Sequence, residues 1–507
     1  MPLDNPQKKA IMEWKRERKV EKVQEQAKTR APWYRFFVPR KDVDMTRGNI
    51  VVHLITFAIP LLIGNIFQQL YNTVDTWVVG NYVGSEAFAA VGTVGPIINT
   101  LIGFFLGLSS GAGVVISQYY GAKNEEQVQC AVHTAIVMTV ILGVLFTGVG
   151  ILFVPMMLGL MKMPENVFPE ASAYLTIYFA GVIGLMLYNM GAGILRAIGD
   201  SQRPFYYLVV SALLNIFLDL LFVLRFDMGV SGVAYATIIS QGVSAFLVIM
   251  HLFRSKASVR LHWNRMRLHW AMLKKICRVG LPAALQMAIT AFSNIFVQGY
   301  INVFGDDCMG GWTAYLKTDQ FIFMPMQSLA LASTTFVGQN LGVNQVKRAR
   351  RGADIALGIA AAFTMIVVIP VVIFAPALVN FLNPGAPAVI AYGARFLRYL
   401  SPFYVLCCVN QVYAGALRGA GNSRAPMIAM LLSFVAFRQG YLYCVSRWFP
   451  GSVMPLAMGY PAGWFLCSLI MFFCYRFADL SGSRVVDDGE SVTVGDAEEC
   501  ADESCEE

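Results

Sequence analysis

Apolar residues run through this chain in long blocks separated by short polar breaks, and the blocks set its architecture. Twelve mostly apolar windows stand at 51–79, 90–118, 131–159, 171–194, 205–224, 230–253, 276–303, 313–337, 352–380, 390–415, 426–446 and 457–476. A helix needs about 20 such residues to cross the hydrocarbon of a bilayer. The pattern therefore predicts an all-α polytopic membrane protein with twelve transmembrane helices. Two windows are unusually polar. The first carries Asn65, Gln68, Gln69, Asn72 and Asp75, and the eighth carries Lys317, Asp319 and Gln320. Polar groups are costly in hydrocarbon, so both helices are expected to face protein.

The two halves of the pattern repeat. Gly193-Ile194-Leu195-Arg196-Ala197-Ile198-Gly199-Asp200-Ser201-Gln202-Arg203-Pro204 returns as Gly415-Ala416-Leu417-Arg418-Gly419-Ala420-Gly421-Asn422-Ser423-Arg424-Ala425-Pro426, an offset of 222. Pro60 maps onto Pro282 and Asn72 onto Asn294 at the same offset, and Gln118-Tyr119-Tyr120-Gly121 onto Gln339-Asn340-Leu341-Gly342 at 221. Each unit holds six spans, an even number, so both copies sit the same way up. They are two parallel six-helix repeats about an axis normal to the membrane. Two such bundles leave a cleft between them, and rocking one against the other gives alternating access. A pseudo-symmetric channel would carry a filter loop or pore ring, and none is visible.

The expected organisation is a basic cytoplasmic segment over 1–50, an N-lobe over 51–253, an amphipathic cytoplasmic linker over 254–275, a C-lobe over 276–476 and an acidic, disordered tail over 477–507. Composition agrees. Of 507 residues, 14% are charged and the mean hydropathy is +0.56, whereas soluble chains carry about 25% charged residues. Residues 1–50 hold 13 Lys/Arg and 7 acids, and residues 477–507 hold 1 Arg and 11 acids. The 25 basic and 13 acidic residues left between 51 and 476 make about 9% of those positions charged. A soluble enzyme, a fibrous protein and a disordered chain are excluded.

Charge also orients the helices. Linker 254–275 carries Arg254, Lys256, Arg260, Arg265, Arg267, Lys274 and Lys275 and no acid, and alternate loops add Lys123, Arg196, Arg203, Lys347, Arg348, Arg350, Arg418 and Arg424. The opposite loops are poorer in base and hold acids such as Glu165, Asp227 and Asp306. The positive-inside rule then puts both termini in the cytoplasm. The basic excess flanks apolar spans, which points to a lipid surface and away from nucleic acid. The linker also holds Leu261, Trp263, Met266, Leu268, Trp270 and Met272, an expected interfacial helix. A charged run from Gln7 to Lys28 reads as a solvated or membrane-surface helix. The ten cysteines show no disulfide or metal spacing, and no cleavable signal peptide opens the chain.

The thirteen acids between 51 and 476 fall mostly in loops. Asp75, Asp219 and Asp319 stand inside spans. Gln68, Asn72 and Asp75 are spaced four and three apart, on one helix face. Asn215 and Asp219, four apart in the fifth span, share another. Two such faces turned inward make a polar pocket in which burial and a second carboxylate favour holding a proton. The same oxygen donors suit Na⁺. Helix bracing is the structural alternative. Lys317 and Asp319, two apart, point in different directions and are expected to pair with other helices. Asn189, Gln286 and Asn294 complete a candidate polar path or gate. The repeated turns, Arg196, Gly199 and Pro204 with Arg418, Gly421 and Pro426, read first as structural: Gly, Pro and a base between spans mark a tight turn.

The stretch from Pro60 to Thr76, PLLIGNIFQQLYNTVDT, resembles the opening helix of the multidrug and toxic compound extrusion (MATE) family. So do Phe336-Val337-Gly338-Gln339-Asn340-Leu341-Gly342 and the paired LRxxGxSxxP turns. The resemblance covers residues 50 to 476 and is nearest the bacterial DinF-like and MepA-like branches. It implies a V-shaped transporter of two six-helix lobes that exchanges drugs or organic cations for H⁺ or Na⁺. In archaeal and DinF-like members a carboxylate on helix 1 and an Asn…Asp pair on helix 5 form an N-lobe cation site, positions that match Asp75, Asn215 and Asp219. Other members use a carboxylate on helix 7. Here that helix offers Gln286, Asn294 and Gln298, and helix 10 offers Asn410 and Gln411, which argues against a carboxylate-based C-lobe site.

The expectation is a secondary active multidrug exporter, monomeric and multi-pass in a bacterial inner membrane, with no cofactor beyond the coupling ion, H⁺ or Na⁺. Amphipathic, often cationic organic compounds are its expected substrates, and the lipid bilayer and those compounds its partners. A lipid-linked oligosaccharide flippase of related fold is the alternative. It would need a strongly basic cavity, for which Arg438 and Lys317 are the main candidates. A major-facilitator carrier would carry a dense Gly/Asp/Arg loop after helix 2, where this chain has Gly121-Ala122-Lys123-Asn124-Glu125-Glu126. A membrane enzyme is disfavoured, since no nucleophile elbow, HExxH or phosphate loop occurs.

Overall fold

The computed structural model describes residues 43–486, apart from Lys162, Pro164, Lys256 and Asn383. The expected helix from Gln7 to Lys28 and the acidic run after Val486 lie outside the described residues. Twelve helical rods follow one another: α1 (Ile50–Val78), α2 (Ser85–Gly121), α3 (Glu125–Leu160), α4 (Phe168–Ala180 continuing as Val182–Ala197), α5 (Gln202–Leu220), α6 (Gly229–Arg254) and α7 (Trp270–Asn302). After these come α8 (Asp306–Gly342), α9 (Val346–Ile373), α10 (Pro387–Leu400 continuing as Tyr404–Gly419), α11 (Arg424–Met430 continuing as Arg438–Trp448) and α12 (Val453–Ala457 continuing as Gly459–Phe477). Ten rods are long and apolar enough to cross a membrane, and α4, bent by 47° beside Gly181, makes an eleventh. The 33-residue α7 fills the seventh place.

Local chemistry explains individual ends and breaks. At the start of α3, the Asn124 side chain accepts from the Gln127 N–H at 3.1 Å, with Glu125 and Glu126 in the first turn. An Asx cap and acids at the positive helix end favour a start there. After the repeated turns, Asp200 Oδ1 accepts from the Gln202 and Arg203 N–H groups at 3.1 Å each, and Asn422 Oδ1 accepts from Ala425 N–H at 3.2 Å. Gly199 and Gly421, at φ 86° and 92°, reverse the chain in the left-handed region, which a side chain disfavours. The two repeated turns thus share a left-handed glycine and an Asx side chain that accepts from the helix that follows.

The apolar interiors of the two halves interlock: Leu54, Phe57 and Leu61 of α1 pack into the core of the last six helices, and Met272 and Ile276 of α7 pack into that of the first six; the two sets meet most extensively along α2 and α7. A Cβ on Gly107 would lie 2.4 Å from the Ala284 backbone, and one on Gly111 would lie 2.3 Å from Gly280. Small residues four apart let two membrane helices touch backbone to backbone. This contact lies in the C-terminal half of α2 and the N-terminal half of α7, toward the end of the molecule where residues 43 and 486 also lie. There, two repeat-related bonds cross between the halves. Gln118 Nε2 donates to Gly419 O at 2.8 Å, and Gln339 Nε2 donates to Ala197 O at 2.9 Å. Each glutamine oxygen in turn holds a terminal arm: Gln339 Oε1 accepts from Met45 N–H at 3.0 Å, and Gln118 Oε1 from Val485 N–H at 2.7 Å.

Two expectations change. The linker from 255 to 269 is not an interfacial helix. Its one short helical turn is Trp263–Arg265, and the rest is a strap laid on α3, with His262 N–H donating to His133 Nε2 at 2.9 Å and His269 N–H to Thr134 Oγ1 at 3.4 Å. Apolar residues there, at 261, 263, 266, 268, 270 and 272, come mostly every second position, which does not make a helical face. The tail, expected to be disordered from 477, is packed through Val486: Leu480 is buried, and Val485 and Val486 lie against the core of the first half.

Candidate functional site

Two of the carboxylates singled out in the sequence meet. Asp75 on α1 and Asp219 on α5 are both buried, and their carboxyl groups stand beside each other. Two buried carboxyls side by side favour holding a proton between them. Asn215, one turn before Asp219, is also buried. Apart from the contact between the carboxyls, Asp75 Oδ1, both Asp219 oxygens and both polar atoms of the Asn215 amide have no hydrogen-bond partner among the described residues. A buried polar group without a partner costs about 1–3 kcal/mol, so these five atoms mark the place as a candidate site. The tyrosines Tyr71 and Tyr174 stand near the Asp75 carboxyl.

The backbone is unusual at the same place. α1 passes into a π-helical turn at Val79–Val83, and α5 does so at Leu221–Arg225. Each follows its carboxylate within four residues. Such turns carry an extra residue per turn and gather at functional sites. No residue type in either segment announces them.

Beside this pair lies a cavity of 460 Å³ bounded by both halves of the molecule. Gln68, Asn189, Asn215 and Gln286 line it. Gln68 stands beside Tyr71, Asn189 Nδ2 donates to Leu185 O at 2.8 Å, and Gln286 Nε2 contacts Met430 Sδ at 2.9 Å. The remaining candidates stand elsewhere. Asn72 is exposed and outside the cavity wall, so the face Gln68–Asn72–Asp75 is split between cavity, surface and bundle interior. Asn294 is exposed and accepts from Arg438 Nη2 at 2.9 Å. Asp319 accepts from Tyr404 on α10, as expected of a residue pairing with another helix. Lys317 is exposed and makes no ion pair among the described residues.

Arg196, Pro204 and Arg418 of the repeated turns also line the cavity, Pro204 as the third residue of α5. Arg418 is 7% exposed with its Nε unpartnered. Among the described residues the one ion pair is Arg203–Asp200, at 2.9 Å, so neither cavity arginine has a carboxylate. Each lies in the last turn of a helix. That position is worth about 0.3–1 kcal/mol to a cation, against several kcal/mol for removing an ion from water. The helix ends alone do not compensate this burial. Arg438, a sequence candidate for a basic cavity, is instead engaged within the last six helices by Ser293 Oγ at 2.7 Å and by the ring of Tyr460.

Comparison with known proteins agrees with this geometry. The MatE family model matches residues 60–221 and 282–438, once in each half. A probable multidrug resistance protein of Bacillus subtilis, YpnP, is 30% identical over 86% of this chain and 97% of its own length. A solved outward-facing MATE transporter of the MOP superfamily superposes with a TM-score of 0.82 at 25% identity, covering 88% of this chain and 99% of that one. A MOP-superfamily transporter from Pyrococcus furiosus, described as having a binding pocket of reverse polarity, superposes with a TM-score of 0.81 at 26% identity, over 86% and 98%.

Proposed function

This chain belongs to the MatE family of membrane transporters, and from that premise we propose how its site works. It is a secondary active multidrug efflux transporter of the MATE kind and not an enzyme. In our reading it binds amphipathic organic compounds in the cavity between the halves and releases them in exchange for H⁺ or Na⁺ bound at Asp75, Asn215 and Asp219. The observation that carries this reading is the pair of buried carboxyls beside an unpartnered amide, next to a cavity walled by both halves. Loading the pair with a proton or Na⁺ neutralises charge that is otherwise costly to bury. Asn215 is common to both places, since it lines the cavity and stands one turn from Asp219. Ion loading there is thereby felt where substrate sits.

The protein acts as a monomer in the bacterial inner membrane, with both termini in the cytoplasm, where the basic linker meets anionic lipid. On that orientation the Gln118 and Gln339 bonds close the cytoplasmic side. Carboxyls on α1 and α5, with none on α7 within the membrane, favour a place in the DinF-like and MepA-like branches. The test is transport in proteoliposomes with pH and Na⁺ gradients imposed separately. At least one gradient accelerates movement of a fluorescent amphipathic compound against its own gradient. No response to either gradient overturns the proposal.

A further inference from the structure

We infer that the cavity between the halves selects amphipathic compounds carrying an acidic head group, a carboxylate, sulfonate or phosphate, which Arg196 and Arg418 hold together. The inference rests on the proposal that this cavity is the substrate site, and it narrows the substrate class.

Four observations lead to it. First, the two arginines come from repeat-equivalent positions on α4 and α10 and line one cavity. The fold therefore brings two guanidinium groups to a common space from opposite halves. Second, they are the only charged side chains on its wall among the described residues: no Asp, Glu or Lys lines it. Third, neither has an ion-pair partner among the described residues, and Arg418 is more than nine-tenths buried with a nitrogen that bonds nothing. A buried guanidinium left in that state, with a second, half-buried one on the same wall, is completed by an anion. Their planar forks match carboxylate and phosphate oxygens two at a time. Fourth, the rest of the wall suits the body of such a molecule. Phe205, Phe434, Met287 and Tyr188 offer apolar surface, and Gln68 and Gln286 offer amides.

Size decides between two sources of the same chemistry. A cavity of 460 Å³ falls within the range of about 300–1,000 Å³ that holds a drug-sized ligand. It is too small for the oligosaccharide of a lipid-linked sugar. The head group therefore belongs to a small organic anion or zwitterion.

The position of the site adds a consequence. Arg196 and Arg418 immediately precede Ala197 and Gly419, whose carbonyls receive the Gln339 and Gln118 bonds that cross between the halves. A head group pulling the two arginines together acts on the backbone that holds that end shut.

The experiment is equilibrium binding to the purified full-length protein in detergent. The probes are an aryl carboxylate, an aryl sulfonate, an aryl phosphate, an aryl quaternary ammonium of matched size and a polyprenyl pyrophosphate. The expected result is that the anionic aryl compounds bind at least about ten-fold more tightly than the ammonium compound. R196Q and R418Q each weaken anion binding by about ten-fold, the scale of one lost charged hydrogen bond, and leave ammonium binding unchanged or tighter. R196K and R418K recover part of the loss, and they carry the test if the glutamine variants do not fold: a weakening of anion binding by less than two-fold in both lysine variants then overturns the inference. It is also overturned if the ammonium compound binds as tightly as the anions, if the folded double variant R196Q/R418Q keeps anion affinity, or if the polyprenyl pyrophosphate is preferred to the aryl phosphate. Gradient response in proteoliposomes is a separate readout. Arginine-dependent anion binding without it sinks the antiport proposal alone, and gradient-driven transport indifferent to both arginines sinks this inference alone.

Discussion

Asp200 and Asn422 occupy the same place in the two repeated turns, and both cap the helix that follows. Burial pushes the Asp200 carboxyl above its ordinary range, although the Arg203 and Gln202 N–H groups and the Arg203 side chain pull it back. A raised folded-state value means the folded protein binds this proton more tightly than the unfolded chain. The stability associated with Asp200 is thus greatest at low pH and declines as pH rises through the carboxylate range. Asp200→Asn keeps the cap, copies the second repeat and removes that pH dependence. Its expected effect at neutral pH is within about 1 kcal/mol of zero, read as the half-inactivation temperature in detergent. Its advantage over wild type should shrink as pH falls toward 4. Arg438→Ala acts oppositely, removing bonds to Ser293 and Asn294 from a buried position, and is expected to cost roughly 1–3 kcal/mol. At this scale the sequence was informative where acids are scarce, because Asp75 and Asp219 stood out against an apolar background. It showed Arg196 and Arg418 only as bases of the repeated turns and gave no sign of the cavity they line. A base between spans looks like an ordinary loop residue, and only the meeting of the two halves puts both on the wall of a shared cavity.

Between elements, the contact that matters most is α2 against α7. Gly111→Val puts a branched side chain where even a Cβ meets backbone at 2.3 Å. Overpacking of this kind costs about 1–3 kcal/mol or more, and the two halves must separate to relieve it. The expected outcome is a lower half-inactivation temperature with loss of transport, against a near-neutral Gly148→Ala, whose Cβ meets nothing within 4 Å. Gln118 and Gln339 hold the same end shut by two buried bonds of about 0.5–1.5 kcal/mol each. In a cysteine-free background, a reporter cysteine at Ala197 should react faster with a membrane-impermeant thiol reagent when both glutamines are alanine. An unchanged rate would remove these bonds from the gate. The helices themselves were legible from hydropathy, since spans of about 20 apolar residues have few alternatives. The linker and the terminal arms were not. Their backbone is held by single long-range bonds, such as Val485 to Gln118 across 367 positions, which leave no periodic trace in the sequence.

Over the whole molecule, the repeat explains both the symmetry and its limits. Gln118 and Gln339, Arg196 and Arg418, and Gly199 and Gly421 are paired across the halves, and together they form the closed end and the floor of the cavity. The proposed ion site is not paired. Its carboxyls belong to α1 and α5 alone, while the last six helices place Asp319 against Tyr404 instead. Symmetric halves with one loaded ion site suit a machine in which a single lobe senses the gradient and both move. The central claim is that the Asp75–Asp219 pair couples ion and substrate. It is tested most directly in proteoliposomes of wild type, Asp75→Asn and Asp219→Asn, measuring gradient-stimulated transport and downhill substrate equilibration in the same vesicles. The account predicts that both variants lose gradient stimulation by about ten-fold or more, the loss of roughly 1.4 kcal/mol of coupling, while downhill equilibration persists. Undiminished gradient stimulation in either variant would contradict it.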